Sequence, residues 1–147
     1  MTTLNVSITR LDDDVELPSY AYEGDAGLDL RANADVDIPP HGRVLVPTGL
    51  AIAIPDGYAG FVLPRSGMAL KRGLSVANTP GLIDAHYRGE LKVIAINLDP
   101  DHPVHIERGE RIAQLVIQAV PAVRLVEVDQ LDETDRGTGG FGSSGAK

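Results

Sequence analysis

The chain has 147 residues, 43% of them apolar, which fits one folded domain and is too apolar for a disordered chain. Thirteen basic against 21 acidic residues leave a net charge of −8, which argues against general binding of nucleic acid or of an anionic membrane. With no cysteine there are no disulfides, zinc thiolates or cysteine nucleophiles, and no apolar run approaches the roughly 20 residues of a membrane span.

The start, Met1-Thr2-Thr3-Leu4, carries neither the basic n-region nor the apolar core of a signal peptide, so a cytoplasmic location is expected. Leu4, Val6 and Ile8 alternate with Asn5, Ser7 and Thr9, predicting a strand with one buried face. Asp12-Asp13-Asp14 reads as a solvated turn. Leu28 and Leu30 alternate with Asp29 and Arg31; the runs Val44–Val46 and Ala51–Ile54 are broken at Pro47–Gly49; Phe61–Leu63 ends at Pro64. Ser66–Gly73 departs from this pattern and predicts a helix of about two turns, with Ser66 as N-cap and Gly73 just past its end. Leu91–Leu98, Ile112–Val120 and Val123–Val128 complete the strand-like runs. Turn signals at Pro39–Gly42, Pro55–Gly57, Pro80-Gly81, Asp99–Asp101 and Arg108-Gly109 punctuate them, so the fold class is all-β, a barrel or sandwich. The Gly-rich stretch Arg136–Lys147 reads as a flexible tail.

Three segments carry candidate chemistry. Pro64-Arg65-Ser66-Gly67 opens the short helix, where backbone N–H groups, a guanidinium, a hydroxyl and an unobstructed backbone suit phosphate oxygens; a capped helix with a surface arginine is the plain alternative. Asn78 through Gly89 reads as a hairpin of about ten residues that can wrap a small planar molecule, with Asp84 near its tip to orient a water; an ordinary turn aspartate is the alternative. Arg136 through Gly145 matches G-x-G-x-x-G at Gly137, Gly139 and Gly142, but with no βαβ unit around it and too few residues after it for the helix, a dinucleotide site is rejected. Its backbone can instead form an anion nest beside Arg136, with Phe141 stacking on a planar base; a disordered tail is the alternative. His102 and His105 lack the further ligands of a metal site.

Five segments in order resemble the five motifs of the trimeric dUTPases: Ala26–Leu30, Pro64–Gly73, Asn78–Lys92, Arg108–Leu115 and Arg136–Gly145. The resemblance implies a distorted jelly-roll-like β-barrel with one short helix, assembled as a homotrimer with three interface active sites. It implies a domain over residues 1–135 and a C-terminal arm, 136–147, that closes a site on a neighbouring subunit. The implied reaction is dUTP plus water to dUMP and pyrophosphate, which supplies dUMP for thymidylate synthesis and keeps uracil out of DNA. The implied cofactor is Mg²⁺, held mainly by substrate phosphates and water rather than by protein ligands. Carried over residue by residue, Asp84 orients and deprotonates the attacking water. Arg65, Ser66, Gly67, Gln114 and Arg136 hold phosphates. Asn78 and the backbone of its loop, with Gly81 and Ile83, read uracil, and Tyr87 packs on deoxyribose. Lys92, Gly140 and Phe141 complete the substrate contacts, Phe141 by stacking on uracil, and Asp29 supports Asp84 or the metal-bound waters. Met68, where leucine is more usual, and His86 depart from the family pattern at positions without an implied role.

A dCTP deaminase shares the fold but places a glutamate in the strand after the base-binding loop; the run Leu91–Asn97 contains none. A non-catalytic binding relative would lack Asp84, Ser66 or Tyr87, and all three are present.

Overall fold

A computed structural model describes residues 3–147; Met1 and Thr2, half of the start read above as free of a leader, lie outside them. Runs this short, stopped every few residues by proline or glycine, build strands rather than helices. Among the described residues there are ten strands and one helix: β1 (Ser7–Arg10), β2 (Leu28–Arg31), β3 (Val36–Ile38), β4 (Arg43–Ala53), β5 (Tyr58–Leu63), α1 (Ser66–Arg72), β6 (Leu74–Val76), β7 (Gly81–Ile83), β8 (Glu90–Asn97), β9 (Val104–Ile106) and β10 (Arg111–Ala119). Two four-stranded antiparallel sheets, ordered β1-β4-β8-β6 and β2-β10-β5-β7, and a β3-β9 ribbon make the jelly-roll-like architecture. No helix among the described residues is long and apolar enough to cross a membrane.

The core lies between the sheets. Alternate residues of β8 point inward, so Leu91, Val93 and Ala95 meet Leu50 and Val46 of β4 and Leu30, Val62 and Leu115 of the opposite sheet. Each fully buried Leu or Val contributes about 1.5–3 kcal/mol. Asn97 is the polar member of this core. Its Nδ2 donates to Ile38 O at 3.0 Å and His102 O at 2.8 Å, and its Oδ1 accepts Asp99 N–H at 2.9 Å. It thereby ties the β3-β9 ribbon to the first sheet.

Several expectations are corrected. The side chains of β1 are exposed, because it sits at the edge of its sheet and lacks a covering layer; only Val6, just before it, packs partly on the core. Pro47–Gly49 does not divide two strands: β4 runs through it with a shift of register against β8. The Thr48 hydroxyl donates to Leu91 O at 2.6 Å and the Glu90 carboxylate accepts Gly49 N–H at 3.0 Å, which stitches the irregularity to β8. Val123–Val128 forms no strand and its apolar side chains are exposed, since no sheet edge of this chain pairs with it. The three-residue strands β3, β6, β7 and β9 are too short to show a period. The segment 78–89 is not a hairpin, because β7 pairs with β5 in the second sheet while β8 lies in the first. Asp12 is not simply solvated: it accepts from Asn33 Nδ2 at 3.3 Å and Arg108 Nη2 at 3.1 Å, pinning the N-terminal segment to the turn before β10.

Candidate functional site

The register of the second sheet assembles the first half of the site. β10 lies between β2 and β5, and Gln114 is paired with Asp29 on one side and Leu63 on the other. Asp29, Gln114 and the loop leaving β5 therefore stand in one row. Gln114 Nε2 donates to Pro64 O at 2.9 Å, which fixes that loop. Arg65 follows in an extended conformation (φ −94°, ψ 131°) and occupies the N-cap position of α1. This corrects the expectation for Ser66, which is the first helical residue, one place too late to cap; its hydroxyl is not spent on the helix. At the other end Gly73, as expected, stops the helix in the left-handed region (φ 66°), and a Cβ there would lie 2.8 Å from Asp99 N. Apart from its chain neighbours and the backbone of its own helix, nothing of this chain lies within 4 Å of where a Gly67 Cβ would sit, so the fold leaves the space over residue 67 open.

Asp29 is largely buried and its carboxylate is divided between two arginines, Arg65 Nε at 3.1 Å and Arg111 Nη1 at 3.2 Å. Arg72 is held by Glu110 at 3.2 Å and by the His105 carbonyl. Arg65, Ser66, Gly67, Asp29 and Gln114 line a cleft of about 720 Å³. Tyr22, Asp25, Lys71 and Arg72 line it too, and sequence reasoning missed them. For Lys71 a signal was available: it lies four residues after Gly67, on the same face of α1. Tyr22 and Asp25 belong to a turn closed by Asp25 Oδ2 on Tyr22 N–H at 2.9 Å, which marks no chemistry in the sequence.

The second half is a recess of about 190 Å³ lined by Leu82, Ile83, Asp84, Tyr87, Glu90, Leu91 and Lys92. Pairing of Gly81 with Val62 and of Ile83 with Gly60 anchors its floor, and Asn78 sits beside Gly81. After Ile83 the chain turns, with Tyr87 N–H donating to Asp84 O at 3.1 Å, and the Asp84 side chain stands exposed at the rim. Tyr87 Oη donates to Glu90 O at 2.8 Å. His86, in the same turn, meets Asp56 at 2.7 Å. The strand after this loop does hold a glutamate, because β8 begins at Glu90; that carboxylate is already engaged by Gly49 N–H and by Lys92 Nζ at 3.6 Å.

The third group lies on the arm. Arg136 Nε donates to Gly139 O at 2.8 Å, Gly140 is half-buried and Phe141 is fully exposed with φ 49°. Within one chain the two recesses share no lining residue, and the arm residues line neither.

The groups with clearly displaced titration lie outside both recesses. The backbone N–H of Asp14, then Asn33 and Arg108, holds Asp12 below the usual carboxylate value. The backbone N–H groups of Asp101 and His102 do the same for Asp99, and the bond to Asp37 raises His105. No cluster of three or more His, Cys, Asp or Glu that could hold a metal exists among the described residues. The donors of the larger cleft are guanidinium, ammonium, hydroxyl and amide groups, which suit phosphate oxygens, and of its two carboxylates Asp29 is engaged by Arg65 and Arg111 and Asp25 by Tyr22 N–H.

The family model described as dUTPase matches residues 13–145. A deoxyuridine 5'-triphosphate nucleotidohydrolase of Thermobifida fusca is 57% identical over 143 residues, 97% of this chain and 80% of that protein. One of Corynebacterium diphtheriae is 59% identical over 115 residues, 78% of this chain and 76% of its own length. Among solved structures, a Staphylococcus bacteriophage 80alpha dUTPase with dUpNHpp superposes with a TM-score of 0.90 at 30% identity, covering 97% of this chain and 99% of that one.

Proposed function

This chain belongs to the dUTPase family, and we propose that it hydrolyses dUTP to dUMP and pyrophosphate at sites shared between the subunits of a homotrimer. The observation that carries the shared site is the separation of its parts: phosphate-type donors in one recess, Asp84 and Tyr87 in another, and Arg136 and Phe141 on an arm that lines neither. On this proposal the groups are brought around one nucleotide by neighbouring copies, each supplying a different part.

In this reading uracil lies against Asn78 and the backbone at Gly81 and Ile83. A hydrogen-bonding edge rejects cytosine through reversed polarity, a stronger discrimination than the clash that excludes the thymine methyl. Tyr87 packs on the deoxyribose. Arg65, the unspent Ser66 hydroxyl, the open backbone at Gly67, and Gln114 take the phosphates, with Lys92 and the arm residues Arg136 and Gly140 completing the donors. Phe141 covers the base and helps exclude water. Asp84 aligns the attacking water and receives its proton as the bond to the α-phosphorus forms and the pyrophosphate leaves. A carboxylate is a weak base, so alignment counts for more than early deprotonation if the transition state is loose. Asp29 serves this centre by holding Arg65 and Arg111 in place. Mg²⁺ would enter with the triphosphate, held mainly by substrate oxygens and water rather than by ligands of this chain, and would supply charge neutralisation there. The reaction supplies dUMP for thymidylate synthesis and keeps uracil out of DNA, as expected of a cytoplasmic enzyme.

The test is a product assay with dUTP, dCTP, UTP and dTTP, with and without Mg²⁺, alongside light scattering. The expected result is dUMP and pyrophosphate from dUTP alone, Mg²⁺-dependent, from a particle of three times 15.6 kDa. A deaminated product from dCTP would replace this reading with the deaminase, and a monomer would reject the shared site.

A further inference from the structure

Tyr87 does not stand freely in its recess. Its hydroxyl donates to Glu90 O at 2.8 Å, and its ring lies across Gly89. A Cβ on residue 89 would sit 2.5 Å from Tyr87 Oη, 2.6 Å from Cζ and 2.9 Å from Cε2. No side chain larger than hydrogen fits there while the ring keeps its place. The brace behind the ring is firm, because Glu90 is tied to Gly49 N–H at 3.0 Å and Leu91 to the buried Thr48 hydroxyl at 2.6 Å. Tyr87 is still 45% exposed and lines the recess that holds Asp84.

We infer that Gly89 is a positioning residue for sugar selection: its bare backbone lets Tyr87 rest at the depth that admits a deoxyribose and refuses a 2′-hydroxyl. This rests on the reading above, in which Tyr87 packs on the sugar. Adding a methyl at residue 89 forces the ring off its support by about 1 Å, a displacement that costs up to about a hundredfold when it misplaces a substrate. The inner side of the ring is braced at Glu90 and Leu91 while its outer side is exposed, so the ring yields outward, room opens for the 2′-hydroxyl, UTP gains, and the preference for dUTP over UTP falls. The group displaced is the outer end of an exposed side chain, so the fold is retained.

The experiment compares kcat/KM for dUTP and UTP in the wild type, Gly89→Ala, Tyr87→Ala and the double variant, with a crystal structure of Gly89→Ala. The expected results are a dUTP/UTP preference lowered about ten- to a hundredfold by Gly89→Ala, and almost no further change when Gly89→Ala is added to Tyr87→Ala. The crystal structure should show the ring moved and its bond to Glu90 O broken. An unchanged preference in Gly89→Ala, or an equal drop in the Tyr87→Ala background, overturns the inference while leaving dUTP hydrolysis intact. A wild type that does not hydrolyse dUTP removes the functional reading itself and the selectivity claim with it.

Discussion

Asp29→Asn tests whether the phosphate cleft works by charge or by geometry. The Asp29 carboxylate, 16% exposed, accepts from Arg65 Nε at 3.1 Å and Arg111 Nη1 at 3.2 Å. A hydrogen bond to a charged group contributes about 1.5–3 kcal/mol when desolvated. The arginine side chains are 32% and 42% exposed, which discounts each bond to about 1 kcal/mol. Asparagine keeps the volume and one acceptor but leaves two guanidiniums side by side without a counter-charge. The expected loss is about 1–3 kcal/mol, or about 3–10 °C of thermal midpoint for a chain of this length. Two effects then compete in catalysis. Removing a negative charge strengthens the attraction of the cleft for a triphosphate, by about 0.5–1 kcal/mol across a solvated gap, a few-fold in KM. Loosening Arg65 by about 1 Å costs up to about a hundredfold. Orientation therefore wins, and kcat/KM for dUTP should fall more than about tenfold. Circular-dichroism melting at fixed protein concentration and steady-state kinetics read both quantities. A lower KM with unchanged kcat would refute the argument, because it would mean that the cleft needs only net positive charge.

Asp84→Asn should bind dUTP in a calorimeter with near wild-type affinity while turnover drops about 10²–10⁴-fold; near-normal turnover would sink its assignment as the group that aligns water. Deleting residues 136–147, which are mostly exposed and contribute nothing to the core, should cut turnover by about a hundredfold or more and leave the oligomeric mass from light scattering unaltered apart from the missing arms. Unchanged kinetics would show that the arm closes no site. His105 gains its raised pKa from Asp37 at 2.6 Å. A raised folded value gives stability that is complete below the ordinary imidazole value of about 6.5 and is lost as pH rises through the folded value. The wild-type midpoint should therefore decline slightly relative to His105→Gln as pH rises through that window, and parallel profiles would contradict the sign.

What the sequence discloses here is chemistry attached to short segments. Arg65-Ser66-Gly67, the loop with Asp84 and Tyr87, and the arm with Arg136 and Phe141 each stand out as candidates by residue type, each with a plain alternative, and it is their joint order that resembles the dUTPase motifs. What it hides is long-range. The continuity of β4 across Pro47–Gly49 depends on Thr48 and Glu90 reaching partners more than forty positions away. The segment 78–89 has the turn residues of a hairpin, yet β7 and β8 belong to different sheets: both edges of β8 are taken, by β4 and β6, and Gly81–Ile83 pairs with the edge of β5 instead. The service of Gly89 to Tyr87 is local in sequence but steric in nature, and no pattern of residue types expresses a ring lying over a backbone. Asp29 reads as a lone acid in Ala26–Leu30; only the pairing of β2, β10 and β5 makes it the anchor of Arg65.

The same distinction explains the most puzzling stretch of the chain. Val123, Leu125, Val126 and Val128 have the composition of a strand, and Leu131 follows, but all are exposed. Each forgoes about 1.5–3 kcal/mol that burial would give. A lone chain gains nothing from keeping such residues, and polar ones would serve as well as a tether. The stretch lies between the end of β10 and the arm that carries Arg136 and Phe141, so any surface that buried it would also fix where those two residues are delivered. In the proposed trimer another copy would supply that surface, these apolar side chains would contribute the binding energy of the contact, and the Gly-rich end beyond them would be left to close over a nucleotide. The exposed apolar stretch and the divided site are thus both accounted for by the same proposal, an assembly of several copies.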